Sequence, residues 1–164
     1  MVVVVHPSFH WIGYHVCKEL LQEGHVVIGI DPIKDKRSDL LYMYVGRNSN
    51  FQHFFQKSDK ENHMHNSGSE VEVDIKKGKV RIVTSQREER VEIPALYGEW
   101  MPMADHSFQE KGDLRKWIEE TEAVYVGDFV KTLLPSYLTR NMEEESLEER
   151  VEATWRCRKL LERV

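Results

Sequence analysis

Three observations in the 164-residue chain predict an α/β fold. A β-branched run at residues 2–5 is followed by a helical pattern and then by a second aliphatic run at residues 26–30. On both sides of Gly78, apolar residues alternate with charged ones. Residues 143–164 place Leu147, Val151, Trp155 and Leu161 along one side of a charged helix, with Thr154 beside them. Together these predict a mainly parallel sheet flanked by helices, with a small antiparallel hairpin and a C-terminal helix.

Taken in order, residues 2–5 show no alternation, which suits a strand covered on both faces in a parallel sheet. Ile12, Val16 and Leu20, with Cys17 and Leu21, recur at helical spacing, and Gly24 stops that helix just ahead of the second aliphatic run. Strand, helix and strand read as a βαβ unit. Residues 38–55 continue a helical pattern through Leu41, Tyr42, Tyr44, Val45, Phe51, Phe54 and Phe55, cut in two by Gly46 and Asn48-Ser49-Asn50. Residues 57–69 are polar and read as a mobile loop. Val71, Val73 and Ile75 then alternate with charges, Gly78 marks a turn, and Val80, Ile82 and Thr84 alternate again, giving a hairpin with one face in water. Residues 91–96 predict a further strand, 114–118 part of a helix, 124–126 a strand, and 129–138 a helix that Pro135 interrupts. Residues 1–142 thus form one domain, and residues 143–164 an amphipathic helix that packs on it or on a second copy of the chain, making a homodimer or a contact with a protein partner.

Lys and Arg number 23 against 28 Asp and Glu, a net charge of −5, so no overall basic field favours nucleic acid. No aliphatic run approaches the roughly 20 residues that cross a bilayer, and no basic stretch precedes the first one as a secretory signal requires. A soluble, cytoplasmic chain with no membrane partner is expected. Cys17 and Cys157 lie in unrelated helical patterns, which argues against a disulfide framework or a cysteine zinc site. Seven of the eight histidines fall in the first 65 residues. His6, His10 and His15 with Asp31 have the chemistry of a metal site, but no His-Glu-x-x-His or paired Cys accompanies them, and no metal is expected. His63-Met64-His65 belongs to the polar loop.

A strand, a turn, a helix and a second strand ending in an acid form the frame that holds a dinucleotide, with pyrophosphate on the helix N-terminus and the acid on a ribose hydroxyl. Residues 4–31, VVHPSFHWIGYHVCKELLQEGHVVIGID, resemble the start of the NAD-dependent epimerase/dehydratase family, the extended short-chain dehydrogenases. The resemblance implies a Rossmann-like sheet, shortened here, a nucleotide or nucleotide-sugar ligand, and NAD. It places Trp11, Ile12, Gly13 and Asp31 at the cofactor. The family's turn reads Thr-Gly-x-x-Gly-x-x-Gly, and the matching positions are His6, Pro7, His10 and Gly13. Only the glycine that lets helix and strand pack closely remains; the two that admit phosphate are replaced by a ring-locked residue without an N–H and by an imidazole. NAD is therefore expected to bind weakly or not at all. Asp31 stands 18 residues beyond Gly13, where roughly 20 is usual; ahead of Pro32 it equally suits a turn or cap.

Two later patches are also similar to the family: residues 91–98, VEIPALYG, with Glu99 where a proline is usual, and residues 123–134, AVYVGDFVKTLL. The interval that would carry the catalytic Ser or Thr and the Tyr-x-x-x-Lys helix is missing. Tyr14 and Lys18 have that spacing but stand on the first helix, at the pyrophosphate end, where no catalytic role follows. Trp100 reads as a core-covering loop aromatic or as the lining of a ligand pocket. The expected function is that of a non-catalytic relative, a binding, regulatory or assembly module. The alternatives are an NAD-linked oxidoreductase or epimerase completed by a partner, and a weak nucleotide sensor.

Overall fold

The computed structural model describes residues 1–64, 70–135, 138 and 145–162. Strands β1 (Val2–His6), β2 (Val26–Ile30), β3 (Phe51–Phe54), β4 (Val71–Lys76), β5 (Lys79–Val83) and β6 (Glu88–Glu92) form one sheet in the order β3-β2-β1-β4-β5-β6. β3, β2, β1 and β4 run parallel, whereas β5 and β6 are antiparallel. The order 3-2-1-4 matches the start of the doubly wound dinucleotide-binding sheet, and its direction of progression reverses between β1 and β4. Helices α1 (Trp11–Gln22), α2 (Lys36–Val45) and α3 (Lys57–His63) make the three crossovers. Beyond β6 come β7 (Leu96–Tyr97), α4 (Lys111–Thr121), β8 (Val124–Tyr125), α5 (Val126–Leu133) and α6 (Leu147–Glu162). β7 and β8, from the two later patches, pair as a separate parallel ribbon.

The valine run is buried on both faces because its side chains alternate between two clusters. Val3 and Val5 join Val27, Val71 and Val73 in the large core with Val16, Cys17 and Leu20 of α1 and Phe129, Val130 and Leu133 of α5. Val4 joins Ile28 and Ile30 on the opposite face, with Phe54 and Met64 against them. Lys77 and Gly78 both have positive φ (50° and 76°), the conformation that a tight two-residue hairpin demands.

Three expectations are corrected. Residues 51–54 form the edge strand β3 rather than helix: Phe51 and His53 both meet Phe9, while Phe54 turns to the other face, so the aromatics follow period two. Lys57–His63 is helix α3 rather than loop, fixed at the foot of β4 by a buried Lys60–Glu70 ion pair of 2.8 Å; residues 65–69, with His65, lie outside the described residues. The strand expected at residues 91–96 is divided, because Pro94 separates β6 from β7, which join different sheets. Helix α5 stops at Leu133, ahead of Pro135. No described helix is long and apolar enough to cross a membrane.

Helix α6 packs on its own chain; residues 143–144 and 163–164 of the segment predicted as helix lie outside the described residues. Val151, Thr154 and Trp155 are buried, Arg150 grips Asp128 of α5 with two bonds of 2.9 and 3.1 Å, and Glu148 and Glu152 pair with Arg115 and Lys111 of α4. The Arg150 guanidinium also lies 4.4 Å over the Tyr125 ring, and that of Arg158 covers the Trp155 ring. Trp155→Ala is expected to lose about 3 kcal/mol of stability, as large aromatic truncations in cores do. Urea unfolding monitored by circular dichroism checks this; an unchanged midpoint would show that α6 contributes no cover.

Candidate functional site

The turn between β1 and α1 crosses the carboxyl ends of the parallel strands, where ligands bind in open α/β sheets. Four consecutive residues, Pro7, Ser8, Phe9 and His10, make that turn, and each is tied down locally. The Ser8 N–H donates to Ile30 O (3.3 Å) and the His10 N–H to Pro7 O (3.4 Å). The Phe9 N–H donates to Oδ2 of Asp31 at 3.0 Å, within the buried interior. His10 is the N-cap of α1: its Nδ1 accepts the Ile12 N–H at 3.3 Å. Two of the backbone donors at this helix N-terminus, those of Phe9 and Ile12, are thereby taken by the chain's own side chains.

The turn residues also fill the space themselves. Phe9 is buried against Tyr42 (edge-on, 6.0 Å) and His53 (5.1 Å). Trp11 and Ile12 bury their side chains in the core, so of the four sequence-assigned residues only Asp31 meets the turn with its side chain. Gly13 keeps its packing duty, since a Cβ there would collide with the Pro7 carbonyl oxygen. Asp31 is 8% exposed. Its carbonyl accepts the His53 Nε2–H at 2.6 Å and its own N–H donates to Phe54 O, which ties β2 to β3. Burial pushes its carboxyl pKa up, against the opposing pull of the Phe9 N–H and of Lys34, His6 and His53.

The three early histidines diverge. His6 lies 3.6 Å from Asp74, His10 caps α1, and His15 is buried, its Nε2–H donating to the Glu99 carbonyl at 2.9 Å. Among the described residues, no group of three or more His, Cys, Asp or Glu side chains could hold a metal. The inner side of the His10 ring is desolvated and Arg37 lies near it, both of which lower its pKa and favour the neutral, accepting form seen in the cap. Burial lowers His15 further, to about 4. Tyr14 is buried edge-on against Trp100, and its phenol pKa is raised, opposite to what a catalytic tyrosine requires. Trp100 itself is core, reached by a backbone at φ 68°. Glu99 accepts the Tyr125 hydroxyl (2.8 Å), holding the loop after β7 to the end of β8.

One feature escaped sequence reasoning. Beside the turn, a cleft of about 710 Å³ opens between His6 and Pro7 on one side and β4–β6 on the other. On its floor Asp74 pairs with Arg81 (2.8 Å), Lys57 (3.1 Å) and His6, and these partners hold its carboxyl well below the usual carboxylate range. The signal lay in the hairpin, whose water-facing positions are mostly basic at its turn; an acidic total concealed it.

Fold and turn together define an α/β protein with a mostly parallel central sheet, in which the turn between β1 and α1 is tied down by the chain's own groups. Comparison with protein-family models, with curated proteins and with solved structures found no match.

Two outcomes follow. Asp31→Ala leaves the buried Phe9 N–H unpaired and is expected to cost about 1–3 kcal/mol in urea unfolding, while Asp31→Asn, which keeps an acceptor, costs less. His15 is neutral when folded, and burial brings its pKa to about 4, below the ordinary histidine value of 6.5. Its contribution to stability is therefore complete above pH 6.5 and declines as the pH falls towards 4. The stability of His15→Gln should depend less steeply on pH across that window; an identical slope would remove His15 as the cause.

Proposed function

We propose that the chain is a non-catalytic relative of the epimerase/dehydratase family, acting as a binding, regulatory or assembly module. The observation that carries this reading is the double occupation of the turn: Asp31 takes the Phe9 N–H and His10 takes the Ile12 N–H. In the family-type arrangement, that acid serves a ribose and those donors serve a pyrophosphate. Here Asp31, caught between the turn and β3, completes the fold instead. A raised phenol pKa at Tyr14 argues against hydride chemistry led by that residue. On this reading NAD binds weakly or not at all, and no nucleotide sugar is turned over.

Thermal shift with NAD, NADP and ADP-ribose tests the closed turn. A ligand at 100 times its dissociation constant stabilises by about 2.7 kcal/mol, on the order of 5–10 °C for a chain of this size. No such rise is expected, and none in the nicotinamide absorbance when NAD is supplied with UDP- or dTDP-sugars. Sustained NADH formation would refute the proposal.

A further inference from the structure

The sheet is covered unequally. Val71, Val73, Ile75, Val80 and Ile82 face the large core, so Asp74, Lys76, Lys79, Arg81 and Arg90 lie on the other side. On that side α3 reaches Val4 and Ile30, and the surface of β4–β6 beyond it is the cleft described above. Its 710 Å³ falls within the range of small-molecule sites, roughly 300–1,000 Å³.

Its lining carries six permanent cations, Lys57, Lys76, Lys77, Lys79, Arg81 and Arg90, against one carboxylate, Asp74. That carboxylate is already committed to Arg81, Lys57 and His6. Glu88, near the rim, bridges Arg81 and Arg90. Lys79 has only a loose pairing with Glu92, at 4.0 Å and largely in water. The side chains of Lys76 and Lys77 line the cleft with no hydrogen bond or ion pair to any described residue. The strand register also sets like charges directly opposite one another, Lys76 against Lys79 and Arg81 against Arg90. Such pairs destabilise a sheet. Two of them in one concavity, on a chain of net charge −5, concentrate positive potential where low-dielectric walls focus it.

We propose that this cleft binds a small ligand carrying two or more phosphoryl groups. Arginines supply fork-shaped donors for phosphate oxygens, and the turn lysines supply point charges at the outer end. Apart from His6, no aromatic ring lines the cleft, so it offers no platform for stacked bases such as single-stranded nucleic acids use. Recognition is of phosphoryl charge rather than of a nucleobase. NAD, with a diester pyrophosphate and a cationic ring, is a poor match. The cations of the site come from α3 and β4–β6 and none from the turn between β1 and α1, which contributes only Pro7 to the lining.

Titration calorimetry at low ionic strength with inorganic tripolyphosphate and with orthophosphate provides the test. One tripolyphosphate per chain is expected, bound at least about tenfold more tightly than orthophosphate. Lys76→Glu turns a like-charged cross-strand pair into an opposite one, so its melting temperature should be no lower than the parent's; Arg90→Gln removes the charge facing Arg81 while keeping a donor for Glu88. Combined, they should weaken tripolyphosphate about tenfold or more, whereas His10→Ala, at the turn, should leave it unchanged. Absence of saturable binding, or binding undiminished in the double variant, would overturn the proposal. So would a short RNA or an anionic vesicle that binds more tightly than tripolyphosphate. Failure here leaves the closed turn untouched, since NAD and NADH report on that separately.

Discussion

Much of this molecule hangs on how closely α1 approaches the turn that precedes it. With only hydrogen at residue 13, the first turn of the helix rests against the Pro7 carbonyl at a separation that a side chain would forbid. That depth lets Val16 and Leu20 sink fully among Val3, Val5 and Val27, and lets α5 settle along the other flank of α1. It also brings His15 within hydrogen-bond reach of Glu99 and Tyr14 against Trp100, so that the long segment after β6 is fastened to the first helix. A glycine can be indispensable for its packing alone, because close packing fixes everything downstream of it.

The second organising fact is that the parallel pattern stops after β4. Three crossovers build the 3-2-1-4 sheet, and the chain then turns back on itself at Lys77-Gly78 instead of adding further helices. A hairpin needs burial on one face only, which is why its alternate positions are charged. Helices α4, α5 and α6 go to the large-core side, where α6 supplies apolar cover through Val151 and Trp155. The opposite side keeps α3 and an ionic surface.

The βαβ unit, the hairpin and the C-terminal helix were legible because each has a periodicity that a single face of burial imposes. The first breakdown came at Phe51, Phe54 and Phe55, where three aromatics fit helical and strand spacing equally well and only pairing with β2 decides. Helix α3 was illegible for a different reason: Lys57–His63 contains no apolar stripe, and its buried anchor is a lysine whose partner, Glu70, lies ten residues away. At the site, the departure of Pro7 and His10 from the glycine pattern of the family the segment resembles was plain in the sequence. That Asp31 would reach back to the Phe9 amide was not, since a carboxylate at the end of a strand has the same spacing whether it faces a ribose or a turn. The basic cleft went unseen because composition averages over surfaces, whereas strand register puts Lys76 beside Lys79 and Arg81 beside Arg90.

The outermost strand, β6, bears on how the protein behaves in a crowded solution. Its sequence, Glu-Glu-Arg-Val-Glu, alternates exposed and half-buried positions with a single aliphatic residue among them. An unpaired strand edge is a template on which another chain can extend the sheet, and flat apolar edges seed fibrils. Any strand arriving at β6 would have to accommodate four charged side chains in five positions, three of them, Glu88, Glu89 and Arg90, already engaged in ion pairs along the edge. At the far side β3 offers only four residues, with His53 already bonded back to Asp31. Both margins of the sheet thus resist templated growth.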